Sequence, residues 1–368
     1  NVVTVNDASN LQVGMYLSGN GLAGAGVQGY QIQSISGNQL TLNSLPNNNQ
    51  TNQTWAAAFA TGLGSGTTDI NTLKTEPGRT MIIGSGNTLR LGQFGGIMRT
   101  DTAIGTSTNY IGTPGVQDEG TLTAGGPVSG TPGEIVFTVG APAQTSGSMQ
   151  IECVIADNGP GGTVTVIKTG TGSMKLRGHN TFSGGLILEA GRLQFAGDEI
   201  GTANPTAGGT GPITIMPGAQ FFPSGGGTIA NDIRLAGIGI NGDNTGAVRM
   251  GSTTNLSGLI TLTGNARIGG GANFSYTLPN RPALIGDVLA IAPASQLSGK
   301  ITGNFSLDLG ATGNAGGIGT GIWVSNTGND YSGNTTLVGR TGGTAGNTIV
   351  HLGNNNVIPD GVGKGNLQ

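Results

Sequence analysis

Charge is scarce in this chain. Asp, Glu, Lys and Arg make up 9% of its 368 residues, against roughly 25% in an ordinary soluble domain. The 15 Lys and Arg are scattered singly. No basic stripe exists that would track a phosphate backbone, so nucleic acid is not an expected partner. A single cysteine, Cys153, excludes an internal disulfide. It sits in an alternating stretch, where a small buried apolar residue is expected. With two His, a closed zinc site cannot be assembled without carboxylates. No apolar run approaches the ~20 residues that a membrane helix needs. A sustained 3.6-residue apolar period is also missing; residues 55–60 alone are dense in helix-favouring types, and that stretch is too short to hold as a helix.

Glycine is what the chain has in quantity. There are 73, with no Gly-X-Y period, which excludes a collagen triple helix. Between the glycines run short alternating segments at 2–5, 39–42, 80–83, 88–91, 134–139, 163–167 and 259–262, each followed within three residues by Gly or Asn. Strands this short and this regularly punctuated predict an all-β protein. A sandwich of ~100 residues fits the length poorly. A parallel β-helix fits better, with aliphatic residues such as Ile151, Val154, Leu186, Leu188, Leu193, Ile213 and Ile215 stacked inside. At ~20 residues per coil and ~4.8 Å per rung, about 15 coils are expected.

The first 75 residues read differently. Ser36-Gly37-Asn38 is a tight turn between alternating strands, and residues 47–53 are a polar linker. We expect a small β module with a polar linker over 1–75, then a solenoid over 76–368.

The solenoid region repeats itself. Lys168-Thr-Gly-Thr-Gly-Ser-Met-Lys-Leu-Arg-Gly-His-Asn-Thr-Phe-Ser-Gly-Gly185 returns in outline at 319–338, with Asn-x-aromatic-Ser-Gly at 180–184 and again at 329–333. A looser upstream likeness joins 149–158 to 297–309, giving copies near 149–220 and 297–368. Recurring turns at a fixed order mark a repeat architecture. The residues that carry the repeat are Gly170, Gly172, Asn180, Phe182, Gly184 and Gly185 in the first copy, and Asn329, Tyr331, Ser332 and Gly333 in the second. The second copy departs from the first at Asp330, where the first has Thr, and at Asn334, where it has Gly.

These residues resemble the autotransporter-associated β-strand repeat, over about residues 120–368. The resemblance implies a right-handed parallel β-helix in a large bacterial surface or extracellular protein, often adhesive or structural. Val3 to Gly19 is similar to a short β module of bacterial surface proteins. The chain opens on Asn1 and stops inside the pattern at Gln368, so a segment of something longer is expected. Further copies joined head to tail into a fibre, or the rest of a larger surface protein, are the expected partners, with a glycan contact besides.

The same fold also carries polysaccharide lyases and hydrolases, so a carbohydrate-active enzyme or receptor is the competing expectation. A glycosidase needs two carboxylates a few ångströms apart. Asp118-Glu119 and Asp198-Glu199 are adjacent in sequence, and strand neighbours point to opposite faces. Both pairs lie among turn residues, as do Asp157, Asp243, Asp287 and Asp360. Asp157-Asn158 and Asp243-Asn244 are where weak calcium binding would be sought. His179 precedes the recurrent Asn180, while Gly328 stands in its place in the second copy; His351 follows a strand. Neither is placed as a base. Gly317, Gly319 and Gly321 imitate a phosphate loop with no helix to follow. No catalytic, cofactor or metal residue is assigned, and the expected role is non-enzymatic.

Overall fold

The structure, a computed structural model, describes residues 2–6, 8, 9, 11, 13, 15–19, 30–42, 55–59, 66–99, 108–140, 148–196, 204–241, 245–251, 254–270, 272, 273, 295–311, 320–339 and 348–368. Within them every regular element is a β-strand, most of them in parallel pairing, as the alternating segments and the lack of a helical period predict.

The N-terminal strands form an antiparallel sheet in the order Val2–Thr4, Gln39–Leu42, Tyr30–Ser36, Met15–Gly19 and Trp55–Phe59. Gly37, at φ 55°, makes the tight turn between Ser36 and Gln39. Tyr30, Ile32, Leu40 and Leu42 close its core. The alanine-rich 55–59 stretch is a strand paired with Met15–Gly19; pairing outweighs the weak helix preference of so short a run.

Parallel pairing begins at Thr67–Thr75, which lies along Thr88–Arg99. The division expected at residue 75 therefore falls at the end of a parallel strand. Asp69, Asn71 and Lys74 lie on the exposed side of that strand, and it reads as polar. From there the chain builds ladders. The first joins 67–70, 88–91, Thr121–Ala124 and Val154–Ile155. A second joins 72–75, 94–99, Gly133–Val139, Val164–Thr169, Leu186–Leu188, Ile213–Ile215, 233–235, 260–262 and Ile301–Thr302. The third holds ten strands, from Thr80–Met81 through Asn109–Ile111, Ser148–Ile151, Ser173–Leu176, Gly191–Phe195, Ala219–Pro223, Val248–Arg249, 266–270 and Leu307–Ala311 to Thr335–Val338. A fourth joins Gly227–Ile229, Thr254–Leu256, Ser295–Leu297, Thr320–Val324 and Thr348–Leu352.

The chain visits these ladders in a fixed cyclic order. Up to residue 176 the order is first, second, third; after 219 the fourth is visited where the first was. One round takes 40 residues from Ile111 to Ile151, 25 from Ile151 to Leu176 and 19 from Leu176 to Phe195. A uniform 20-residue round therefore overcounts: ten third-ladder strands are described, not 15. Rung spacing is fixed by backbone hydrogen bonds, whereas the connecting turns are free to vary in length.

One core runs under all the rounds. Ile135, Phe137 and Val139 point inward from one strand and Val164 and Val166 from the next, with Leu186 and Leu188 following in register. Phe195 meets Phe221 edge to face, with centroids 4.7 Å apart. One expected interior position differs: Val154 is half-buried, while Cys153 and Ile155 are inside. Ile151, Cys153 and Ile155 keep one alternation across the turn at Glu152, and that phase leaves Val154 on the outward side.

Glycine matters most where two backbones nearly touch. Gly191 has φ 69°, and a Cβ there would lie 2.5 Å from the carbonyl oxygens of both Gly170 and Gly172 in the preceding round. Gly218 has φ 86° with open space around the same position. Both carry the left-handed strain of about 1 kcal/mol for an L-residue. Gly191→Ala adds a backbone collision of roughly 1–3 kcal/mol more. Urea denaturation should thus find Gly191→Ala clearly less stable than Gly218→Ala; equal midpoints would contradict the packed corner.

Candidate functional site

The recurrent asparagines sit where strand pairing lapses. After Ile155 the first ladder has no regular strand, and residues 180–182 make that visit instead. Asn180 is buried, and its Oδ1 accepts the Ile155 N–H at 2.7 Å while its Nδ2 donates to the Ala207 carbonyl at 2.7 Å. One amide thus bridges three rounds. Thr181 N–H reaches the Ile155 carbonyl at 2.9 Å, and Thr210 N–H the Phe182 carbonyl at 2.9 Å.

Asn329 repeats this geometry. Its Oδ1 accepts from Ile301 N–H at 2.7 Å and its Nδ2 donates to the Val357 carbonyl at 2.8 Å. Asp330 N–H bonds Ile301 O as Thr181 N–H bonds Ile155 O. The ladders are not the same, however. Ile155 ends the first ladder and Ile301 the second. The second copy is displaced by one ladder relative to the first.

The rest of the motif packs around these locks. Phe182 and Tyr331 are both buried, and the Tyr331 hydroxyl contacts Thr335 Oγ1 at 2.6 Å; burial pushes the phenol pKa up. Gly184 and Gly333 lie against the backbones of Val164 and of Phe305-Ser306, where a Cβ would be 2.6 and 2.3 Å away. Gly185 has φ 93° and faces the Pro212 carbonyl. Gly170 turns at φ 77° beneath Val139, whose carbonyl accepts the Gly172 N–H at 2.8 Å. Ser332 N–H bonds the Gly303 carbonyl at 2.9 Å.

Lys168 opens the motif and is fully buried. It shares the inward phase of Val164 and Val166, a placement readable from their i, i+2, i+4 spacing. Its ammonium donates to the carbonyls of Thr169, Gly170 and Ala190 at 2.9, 2.8 and 3.0 Å. Three donors meet three acceptors, taken from two successive turns. Burial lowers its pKa from 10.5 to about 7.

The other titratable groups brace turns in the same way. Asp157 takes the backbone N–H groups of Val164 and Ser183 on Oδ1 and the Ser183 hydroxyl on Oδ2, at 2.7–2.9 Å. Asn158 donates to carbonyls at 126, 128 and 131. Burial pushes the Cys153 thiol up to about 12, so it stays protonated at neutral pH.

One charged corner went unseen in the sequence. Asp118 has the left-handed φ of 65°, rare for a residue with a Cβ. Its Oδ1 accepts the His179 N–H at 2.6 Å and its Oδ2 meets His179 Nδ1 at 2.7 Å, across 61 residues. Between them in the stack the buried Glu152 approaches Arg177 Nε at 3.4 Å and accepts from Gln150. Nothing in local spacing announces a contact across two rounds of unequal length. Asp198, Glu199, Asp243 and Asp287 lie outside the described residues. Trp323 packs its ring 4.5 Å from that of His351, between the buried Ile322 and Val324.

Comparison with family models, curated proteins and solved structures finds no match to this chain.

Two outcomes follow from that geometry. Asn180→Ala or Asn329→Ala leaves a buried N–H and a buried C=O unpaired, costing roughly 2–4 kcal/mol by chemical denaturation. Loss of less than about 0.5 kcal/mol would show that the amides are dispensable. For Lys168, below about pH 7 both folded and unfolded chains hold the proton, and the burial penalty stands in full. Between about 7 and 10.5 the unfolded chain binds a proton the folded chain has released, so stability rises with pH across that window. Lys168→Met should flatten the rise, and an unchanged pH profile of the urea midpoint would refute it.

Proposed function

We propose that this chain is a non-enzymatic structural or adhesive segment of a bacterial surface or extracellular protein, built as a right-handed parallel β-helix. The cyclic visiting of parallel ladders supports the helix, and the hand follows the strong preference for right-handed crossovers between parallel strands. The observation that carries the role is how the chain uses its reactive groups. Lys168, Asp157, Asn180 and Asn329 each tie one round to the next through backbone atoms. Such a chain invests its chemistry in an extended body. Ten third-ladder strands span roughly 43 Å at ~4.8 Å per step. The resemblance of the repeated motif to autotransporter-type repeats supports the surface setting.

Self-association into a fibre belongs to the same reading. Among the described residues the stretch 67–70 is strand-paired on one side only, and an edge of this kind accepts an added strand. Low charge removes the repulsion that keeps copies apart.

A carbohydrate-active enzyme is the alternative, and the exposed Asp118–His179 pair is the observation that favours it. Sedimentation velocity over a concentration series, with turnover assays on acidic and neutral polysaccharides, separates the two. The structural reading expects an elongated, concentration-dependent species and no turnover. A compact monomer at every concentration, or a turnover abolished by His179→Ala, would overturn it.

A further inference from the structure

The outer face of the third ladder carries a row of aromatic, amide and cationic side chains in register. Parallel register sets outward residues of neighbouring strands side by side, ~4.8 Å apart. Tyr110 lies opposite Gln150, Gln150 opposite Lys175, Lys175 opposite Gln194 and Gln194 opposite Phe222. Arg249 comes next, because Phe221 pairs with Val248. Six side chains thus stand in line over six consecutive strands, roughly 24 Å in five steps.

Their chemistry is mixed in a regular way. Gln150 is buried; Tyr110, Lys175, Gln194, Phe222 and Arg249 are half-exposed. The Arg249 guanidinium lies 4.5 Å from the centre of the Phe222 ring, a stacking that holds its planar fork in one orientation. The Gln194 amide is fixed by donation to Ser224 Oγ at 2.6 Å.

We propose that this row is a binding track for a linear acidic polysaccharide. Aromatic rings offer flat apolar faces to the C–H faces of sugars, and amides pair with hydroxyls. Lys175 and the stacked guanidinium suit carboxylates. An extended polymer matches an evenly spaced line, whereas a small ligand calls for a concave pocket. A nucleic acid calls for a denser run of cations than two in six rungs. The inference rests on the adhesive half of the proposed function, and the rod-like body and the absence of turnover are tested separately above.

Affinity electrophoresis through gels containing polygalacturonate, dextran or polyphosphate tests it. Polygalacturonate should retard the protein and dextran should not. Lys175→Gln and Phe222→Leu, which keep side-chain bulk on an outward face, should each weaken the retardation about tenfold, the scale of one charged hydrogen bond or stacking contact. Arg234→Ala, outward on the second ladder, should leave it unchanged. Far-UV circular dichroism confirms that each variant keeps its fold. Retardation by polyphosphate equal to that by polygalacturonate would mean a general polyanion effect and would overturn the proposal. So would no retardation at all, or Lys175→Gln and Phe222→Leu migrating like the parent.

Discussion

Backbone meeting backbone at one rung spacing is the constraint to which everything else in this protein answers. Along the ladders, strand hydrogen bonds satisfy it. At the corners they cannot, because the chain must turn while the rounds above and below stay within a few ångströms. Each corner therefore needs either a residue small enough to let carbonyls approach, as Gly191 does beneath Gly170 and Gly172, or a side chain that stands in for a backbone partner. Asn180 and Asn329 are the clearest cases of the second kind, each offering one acceptor below and one donor above. Lys168 is the cationic version, gathering three carbonyls that would otherwise face one another.

This constraint also explains the composition. A chain whose turns are filled by glycine and whose braces are neutral amides has little use for surface charge. Its charged groups are few, and several in the described region are tied to other rounds. Asp118 and His179 join turns 61 residues apart, and Arg267 and Asp308 pair across neighbouring third-ladder strands at 3.0 Å. Pairs this exposed add little stability each; their service is to register, since a slipped round would separate them.

Much of the fold was legible because alternation and turn chemistry are local. The strands at 134–139 and 163–167 and the hairpin at Gly37 follow from residues within a few positions of one another. The start of the parallel sheet at Thr67 was not legible, since Asp69, Asn71 and Lys74 look like linker until a neighbouring strand is beside them. Nor was the charged corner, which depends on how many residues each round takes. Lys168 lies between these cases. Its alternation with Val164 and Val166 places it inside, but the carbonyls that make the burial tolerable come partly from Ala190 in another turn.

The displacement of the motif by one ladder has a geometric consequence. Asn180 and Asn329 are 149 residues apart, and that interval does not return the chain to the ladder from which it left. The motif and the rounds therefore keep different periods, as the threads of two screws of unequal pitch do. The same motif thus stands on one ladder in the first copy and on another in the second. In a protein made of such units, equivalent features would stand on successive ladders from one repeat to the next.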